Sequence, residues 1–523
     1  MRGSCLFALV LITSMFVGCG GGSGVPSVLP TPTPTPSPTP TPTPVPLTAS
    51  NADLNGSYAI SLIGNNPAIA GGSFFGIIGS IHANGTGVID TGELDLEIDG
   101  TPGLHTHQIN VTGSYNIGPN ALGSAILNTV NGPLNLELVM ASKTHGQVTI
   151  FQNGSGAATG SIDLQTPADF SLASFEGASF VFNALSTDPN HPHGLAGNFV
   201  VDATGNFSSG TFDFNDNGTI SANTPLSGGF VLAPDSGGFG FTSIQFRNAA
   251  NLITGLQLTY VIIDKTHMLV LESEGVGFAA GEMFTRAQIP VAAPNTAISG
   301  PFVLTAHGPT NFALGAVMIA TPSQGSSTDG TISGTGDLNS SAVVHNANVT
   351  GTYSIASNGR GTMTISVGAV ARQFAVYPSS GGIQFFEIDS LGPANGGAVQ
   401  QSAGPFSQAS IDGYFAAAFA SQNTGGGVGG IIHFTSTASV MTGEDFFINS
   451  SGVTSKGSGS SSGSSIAVGS SGRADVTLPL PGTPSNTAHF VFYLVDPTKM
   501  LFIQTDAGQA GTGIIHQQQQ SQL

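Results

Sequence analysis

Two histidine pairs are the strongest candidates for metal chemistry in this sequence. His105 and His107 are separated by one residue, as are His191 and His193, and Asp188 precedes the second pair. Residues i and i+2 of an extended segment share a face, so both imidazoles of a pair can reach one ion such as zinc. No third ligand is identifiable for the first pair, and neither pair recurs later in the chain. Exposed loop histidines are the alternative interpretation.

An acidic segment offers a third metal candidate. Asp213, Asn215 and Asn217 alternate with other residues and are followed by Gly218. Calcium takes oxygen ligands at such a spacing, but the twelfth position holds Thr224, where an EF-hand loop has a bidentate glutamate. The calcium motif is therefore incomplete, and a β-turn with a solvated acidic cluster is the alternative. No cofactor is predicted.

Two segments match hydrolase motifs only in form. Asp90-Thr91-Gly92 resembles the aspartic protease loop, and Asp235 would have to supply the second carboxylate that shares the proton. The tripeptide, however, aligns with turns in the other repeats of the chain. Gly459 to Gly463 fits Gly-x-Ser-x-Gly inside a Ser/Gly run, whereas a nucleophile elbow lies between a strand and a helix. The sequence therefore predicts a protein that is not an enzyme.

The elements that must position these residues are β-strands. Apolar and polar residues alternate, for example from Leu94 to Ile98 and from Met363 to Val367, which places the apolar side chains on one face of a half-buried strand. Asn-Gly pairs that begin at Asn84, Asn217 and Asn358 separate such segments and favour tight hairpins. Pattern and composition together predict a turn-rich, all-β protein.

Internal repeats divide the chain into four domains. Each repeat begins with a glycine and an aromatic strand, at Gly56, Gly177, Gly300 and Gly413. Each continues with a glycine-centred hairpin that is followed by an aspartate, at Asp95, Asp213, Asp337 and Asp445. Similar segments recur at offsets of 232 to 238 residues, so alternate domains resemble each other more than neighbours do. We expect an A-B-A-B duplication with A1 at 51–168, B1 at 169–290, A2 at 291–404, and B2 with a polar C-terminal tail at 405–523.

The strand count favours small barrels. The first repeat contains about eight strand candidates joined by short turns, which suits an antiparallel meander that closes and removes exposed edges. A two-sheet sandwich is the alternative. The predicted fold class is thus four tandem antiparallel β-barrel or β-sandwich domains.

The N-terminal segment predicts export and a lipid anchor. Its apolar run of about a dozen residues, roughly 18 Å as a helix, is too short for a hydrocarbon core of about 30 Å and suits a signal peptide. The segment 16–19, Phe-Val-Gly-Cys, resembles the bacterial lipobox, which implies removal of residues 1–18 and acylation of Cys19. A non-lipid secretory signal is the alternative. Gly20 stands where the inner-membrane retention signal has aspartate, so the outer membrane is the expected destination.

Residues 19–50 are predicted to be the lipidated cysteine and an extended linker. Proline alternates with Thr, Ser or Val from Pro30 to Pro46, and polyproline II at about 3.1 Å per residue would reach about 50 Å. This linker is either a stalk or a passive tether. Cys5 and Cys19 are the only cysteines, so the expected mature domains have no thiol for a disulfide, a metal or catalysis.

Charge limits the partners. The formal net charge is −19, which repels phosphate backbones and disfavours nucleic acid. The expected partners are the membrane, through the lipid anchor, and an envelope component, a carbohydrate or a protein.

The Cys-Gly-Gly-Gly start, the Pro-Thr tract and turns such as Asn358 to Gly361 resemble uncharacterised lipid-anchored, Gly/Ser/Thr-rich β-repeat envelope proteins of acidobacterial type. The family has no established activity, so the resemblance implies a place in the cell envelope, periplasmic or surface-exposed, and no reaction. We expect a non-enzymatic, lipid-anchored protein that displays β domains for binding or adhesion. The alternative is a ligand-binding protein that uses barrel interiors or interdomain clefts; a secreted hydrolase is the third choice.

Overall fold

The protein is all-β, as predicted, and its strands form four consecutive antiparallel sheets. The computed structural model describes residues 46–66, 73–98, 104–154, 156–186, 188–247, 253–273, 279–309, 311–323, 329–423, 426–437, 440–450, 452–459, 464–479 and 487–523. These residues belong to one compact unit. Short 3₁₀ helices at Asn51–Asp53, Pro167–Asp169, Leu172–Ser174, Pro294–Ala297, Gln408–Ile411 and Gln520–Gln522 flank the sheets.

Eight strands of the first domain close into a barrel, and one further strand, β4, pairs only with β3. The strands are β1 Asn55–Asn66, β2 Ser73–Asn84, β3 Val88–Ile98, β4 Leu104–Ile109, β5 Thr112–Ile117, β6 Leu122–Thr129, β7 Gly132–Ser142, β8 His145–Ile150 and β9 Ala157–Leu164.

The second and third domains are closed eight-stranded barrels. The second contains β10 Ser179–Leu185, β11 His193–Val201, β12 Phe207–Asp216, β13 Thr219–Val231, β14 Phe239–Arg247, β15 Ile253–Asp264, β16 His267–Glu272 and β17 Ala280–Thr285. The third contains β18 Gly300–Gly308, β19 Phe312–Thr321, β20 Gly330–Asn339, β21 Val343–Ile355, β22 Gly361–Val367, β23 Val370–Ser379, β24 Gly382–Glu387 and β25 Asn395–Gln400.

The fourth domain is a nine-stranded sheet whose edge strands are β29 and β30. Its strands are β26 Gly413–Asn423, β27 Gly426–Thr437, β28 Val440–Ser450, β29 Val453–Gly459, β30 Ser465–Val468, β31 Arg473–Leu478, β32 Ala488–Asp496, β33 Lys499–Gln504 and β34 Ala510–Gln518.

Each sheet encloses its own packed apolar core, because alternate residues of the strands point inward. Tyr58 and Leu62 are buried in the first barrel, and Phe180, Phe182 and Phe199 pack ring against ring in the second. Phenylalanine dominates the second and fourth cores, whereas aliphatic side chains dominate the first. The barrel interiors are therefore filled by side chains.

The first and third domains share a tyrosine latch. The Tyr115 hydroxyl donates to the main-chain oxygens of Asn51 and Leu54, at 3.2 and 2.7 Å. The Tyr353 hydroxyl donates in the same way to Asn295 and Ile298, at 3.2 and 2.5 Å. Both latches fix the 3₁₀ turn that precedes the first strand, and the match agrees with the predicted relation between alternate domains.

The four domains pack in a ring, since each buries the outer face of its first strands against the last strands of the next. Apolar clusters lie between the first and second domains, the second and third, the third and fourth, and the fourth and first. Gln165 donates to Ile262 O at 2.6 Å, and Gln401 donates to Leu494 O at 2.7 Å. Each glutamine immediately follows the last strand of its domain, so the same contact joins the first domain to the second and the third to the fourth. At the junction of the second and third domains, Arg286 follows the last strand and its Nη1 donates to Asn358 O at 2.6 Å.

The ring closes with the same contact. Gln518 Nε2, at the end of the fourth domain, donates to Met140 O of the first at 2.7 Å. Lys143 N donates to Gln522 O, and the Leu523 side chain packs into the core cluster of the first domain. Residues more than 370 apart in sequence are thus held together as neighbouring domains are.

Two of the interfaces contain a buried ion pair. Arg360 of the third domain forms a two-pronged pair with Asp213 of the second, at 2.7 and 2.6 Å, and Arg473 of the fourth does so with Asp337 of the third, at 2.7 Å for both bonds. A tyrosine, Tyr377 or Tyr493, donates to the same aspartate. Burying these charges is tolerable because each lies against its partner and its hydrogen bonds.

The corresponding positions of the other interfaces are different. In the fourth domain, strand pairing places Phe447 and not Asp445 at the position of Asp213 and Asp337, because Phe447 pairs with Ile431 as Asp213 pairs with Ala196. The predicted alignment of Asp445 with the other aspartates is therefore wrong by two residues. Phe447 packs in the apolar cluster against the first domain.

Ring closure predicts that an engineered disulfide forms between the first and fourth domains. Thr454 Oγ1 donates to Asn153 Oδ1 at 2.7 Å across 301 residues, and cysteine at both positions places two thiols at this contact. Asn153→Cys/Thr454→Cys is expected to cross-link on mild oxidation and to migrate faster on a non-reducing gel. Asn153→Cys/Thr350→Cys is the control and should stay reduced; no cross-link in the first variant would contradict the ring.

Candidate functional site

A cavity of about 700 Å³ lies where the four domains meet. Its walls are the first strand and the last two strands of every domain: β1, β8 and β9; β10, β16 and β17; β18, β24 and β25; and β26, β33 and β34. Because the domains are repeats, equivalent positions face one another across the cavity, and differences among them determine its chemistry.

The first domain contributes a histidine that is hydrogen-bonded to a carboxylate. His145 and Asp163 are opposite each other on β8 and β9, and Nδ1 of the histidine donates to the carboxylate at 2.6 Å. Gln147 Nε2 lies 2.8 Å from His145 Nε2, and Ser161 donates to Asp163 at 2.6 Å. Burial would raise the pKa of Asp163, but the bonds from His145 and Ser161 lower it below the usual value.

The second domain places a histidine at the equivalent position. His267 stacks on Phe284 with ring centroids 4.4 Å apart, and its Nε2 lies 3.6 Å from Glu282 Oε1. Burial would lower the pKa of His267, but the negative charge of Glu282 outweighs it and raises the pKa. Half of the Glu282 side chain, 48 %, remains exposed.

The fourth domain contributes two basic groups. Lys499 and His516 are opposite each other on β33 and β34, and the His516 ring lies 4.5 Å from the ring of His145. Burial, together with the positive neighbours His145 and Lys499, lowers the pKa of His516 to about 2. Burial also lowers the pKa of Lys499, although Glu282 and Asp496 oppose the effect.

The third domain has small or apolar residues at the equivalent positions and contributes one more histidine. Gly382 and Val399 occupy the positions that carry His145 and Asp163 in the first domain. His307, on β18, lines the cavity, and burial lowers its pKa to about 4. The uncharged side of the cavity is therefore formed by this domain.

The described residues of the cavity leave several polar groups available to a ligand. Both nitrogens of His145 have polar partners, and Ser161 donates to Asp163 and not to the imidazole. The buried Nε2 atoms of His267 and His516 have no hydrogen-bond partner among the described residues. Lys499 lines the same cavity.

The predicted pair His105 and His107 lies outside the cavity, on β4. Their rings meet carboxylates of β3: His105 Nε2 is 2.7 Å from Asp95 Oδ1, and His107 Nε2 is 2.8 Å from Glu93 Oε1. Burial and the nearby Asp235 of the second domain raise the pKa of Glu93 to about 8. The histidines thus balance acidic groups at the interface between the first two domains, at the place where the next two interfaces have arginine.

The second predicted pair does not converge. His191 Nδ1 lies 2.9 Å from Asp188 Oδ2, whereas His193 Nε2 lies 3.0 Å from Glu272 Oε2. Burial would lower the pKa of His193, but Glu272 raises it. The two imidazoles meet separate carboxylates because His193 is the first residue of β11, whereas His191 lies in the loop before that strand.

Of the candidate calcium ligands Asp213, Asn215 and Asn217, the first two are in contact with the third domain. Asp213 binds Arg360, and Asn215 Nδ2 donates to the main-chain oxygens of three residues in the third domain, at 3.1 to 3.2 Å. Only Asn217 is in a turn, with a φ of 49°. Within the described residues, no group of three or more His, Cys, Asp or Glu side chains is placed to hold a metal ion.

The remaining sequence candidates are readily located. Asp90 Oδ1 is 2.8 Å from His82 Nδ1 on the neighbouring strand, and Asp235 belongs to the second domain. Cys19, the signal segment and Ser461 lie outside the described residues.

The cavity residues were not predicted, although the repeats contain a signal for them. The segments Ser142 to His145, Asp264 to His267 and Asp496 to Lys499 each have threonine followed by a basic residue. A basic residue therefore begins the same strand in three of the four repeats.

No protein-family model and no curated protein matches the chain. Among solved structures, it is similar to transferrin binding protein B of serogroup B Neisseria meningitidis, at 7 % identity and a TM-score of 0.18, over 72 % of this chain and 84 % of that one. It is also similar to CghA, at 7 % identity for the structure of CghA alone and 9 % for the structure with Sch210972. Each of these likenesses has a TM-score of 0.17 and covers 92 % of this chain and 96 % of that one. Likenesses at these TM-scores carry no inference.

No helix among the described residues has the length and apolar character needed to cross a membrane.

The buried histidine predicts a loss of stability in mild acid. The folded protein keeps His516 neutral, with a pKa of about 2, whereas the unfolded chain takes up a proton near pH 6.5. Stability is therefore lost as the pH falls from roughly 7 to roughly 5. In His516→Gln, the fall in Tm across this range should be smaller by roughly 2–4 °C.

His307 acts in the same direction and accounts for part of the fall that persists in the variant. The control is His82→Gln, at a side chain that is 41 % exposed, which should show the wild-type fall. An unchanged pH dependence in His516→Gln would contradict the assignment.

Proposed function

We propose that this protein is a non-enzymatic, cell-envelope binding protein whose four-barrel ring takes up a small molecule in the central cavity. One contrast carries the proposal: the barrel interiors are filled by apolar side chains, whereas the junction of the barrels has a cavity of about 700 Å³ with titratable side chains. Ligand sites are commonly concave, largely preformed, and of about 300–1,000 Å³, with a few polar groups that orient the ligand.

The ring itself supports this proposal. Each wall of the cavity is formed by strands that also form an interdomain interface, so buried ion pairs and glutamine bonds hold the walls in place. A site built on such rigid elements loses little conformational freedom when a ligand binds. Of the two ligand-binding alternatives, interdomain clefts are therefore favoured over barrel interiors.

The absence of catalysis is part of the proposal. It is supported by the hydrogen bonds that occupy both nitrogens of His145 and by the pairing of Asp90 with His82. The location is supported by the sequence alone: the lipobox-like segment that ends at Cys19 and the proline-rich linker would tether the ring to the envelope, with the outer membrane as the expected site.

Filling the cavity should abolish binding. Thr512, on β34, lines the cavity, whereas Thr350, on β21, is exposed. A thermal-shift screen of a chemically diverse small-molecule library is expected to yield ligands that raise the Tm of the wild type with one-to-one stoichiometry. Thr512→Trp should lose these shifts and Thr350→Trp should keep them. Ligands that stabilise Thr512→Trp as well as the wild type would place binding elsewhere.

The anchor has an independent test. Expressed in a bacterium with lipoprotein processing, the mature chain should begin at Cys19 and carry acyl chains, as measured by intact mass, and should fractionate with membranes. Cys19→Ala should be released in soluble form, while Cys5→Ala should behave as the wild type. An unmodified Cys19 would contradict the anchor.

A further inference from the structure

One pair of strand positions, repeated in each domain, distinguishes the walls of the cavity. These are the first residue of the next-to-last strand and the residue opposite it on the last strand. In an antiparallel pair, the side chains at such positions lie side by side on one face. The pairs are His145 with Asp163, His267 with Phe284, and Lys499 with His516. In the third domain Ile383 pairs with Ala398, so Gly382 and Val399 are at the corresponding positions.

Only the pair of the fourth domain combines two bases. In the first domain the histidine has its carboxylate on the neighbouring strand, 2.6 Å away, and in the second domain Glu282 lies near His267. Lys499 has no carboxylate within 4 Å among the described residues, since Glu282 and Asp496 act on it only at longer range. Among the described residues, no carboxylate completes this pair.

The imidazole beside the lysine is also unsatisfied. His516 Nε2 is buried and has no hydrogen-bond partner among the described residues. A buried polar group without a partner costs about 1–3 kcal/mol, so a ligand that bonds to it recovers this free energy. The ammonium and the imidazole together form a two-donor site for an anion.

The cavity that holds this site also has an apolar part of its wall. Phe284, Val399, Phe419 and Leu501 line the same cavity. A small inorganic anion would leave these surfaces in contact with water, whereas an aliphatic or aromatic body would bury them at about 25 cal/mol per Å².

Building on the proposed function, we infer that the ligand is a small carboxylate with an apolar body. Its carboxylate pairs with Lys499 and accepts from His516, in the place that Asp163 takes beside His145 in the first domain, and its body lies against the apolar wall. Asp163 is bonded to His145, and the half-exposed Glu282 lies 3.6 Å from His267, so an amine would have to compete with a histidine at either carboxylate.

Three probes of one length test this inference: octanoate, octanamide and octylamine, measured by isothermal titration calorimetry on the full mature chain. Octanoate should bind roughly ten-fold more tightly than octanamide, since a hydrogen bond to a charged group contributes about 1.5–3 kcal/mol. Lys499→Met should remove this preference and leave octanamide binding unchanged. His516→Gln is the second variant and should weaken octanoate alone.

The matched control is Lys265→Met, which removes an exposed lysine from the equivalent turn of the second domain. It should bind all three probes as the wild type does. Equal binding of octanoate and octanamide, stronger binding of octylamine, or a preference for octanoate that survives in Lys499→Met would overturn the inference. Such results leave the proposed function standing, because that depends on loss of ligand shifts in Thr512→Trp.

Discussion

The side-chain amides of Gln165, Gln401 and Gln518 each donate into the main chain of the next domain, to the last residues of a strand that ends at a turn. Buried carbonyls need such partners, and a barrel alone cannot supply them from its own last strands. Three of the four junctions are therefore fixed in the same way, and Arg286 bonds to Asn358 O at the junction of the second and third domains. The Gln518 bond joins the end of the chain to its first domain. The same kind of hydrogen bond that positions neighbouring domains therefore also closes the ring around the central cavity.

The four interfaces share their geometry but not their chemistry. Two have an aspartate held by arginine and tyrosine, the first uses histidines from the additional strand β4, and the closing interface is apolar at Phe447. A buried ion pair contributes little net stability, yet removal of one partner costs about 3–5 kcal/mol. Asp213 and Asp337 each receive an arginine from the next domain, and without it either carboxylate would be buried without a base.

The sequence was sufficient for the all-β class, the four domains and the Asn-Gly turns, because strand alternation and positive φ are local properties. It was not sufficient for the ring. Asp213 and Asn215 have oxygen atoms at a spacing typical of a calcium loop, and only the position of the third domain shows that Arg360 and main-chain carbonyls occupy them. The pairing of Lys499 with His516 is not local either, since the two residues are 17 positions apart in the sequence and only strand pairing makes their side chains neighbours.

Each domain uses the outer face of its first strands to contact one neighbour and the outer face of its last strands to contact the other. The contacts are therefore head-to-tail. Contacts of this kind end only when the rotation between units closes a circle, and otherwise continue from molecule to molecule. Here all four units are on one chain, which keeps the effective concentration of the last face for the first far above that of any other molecule. A ring held open, by a truncated tail or a clash at Phe447, would expose two complementary apolar ends and would be prone to domain-swapped chains of rings.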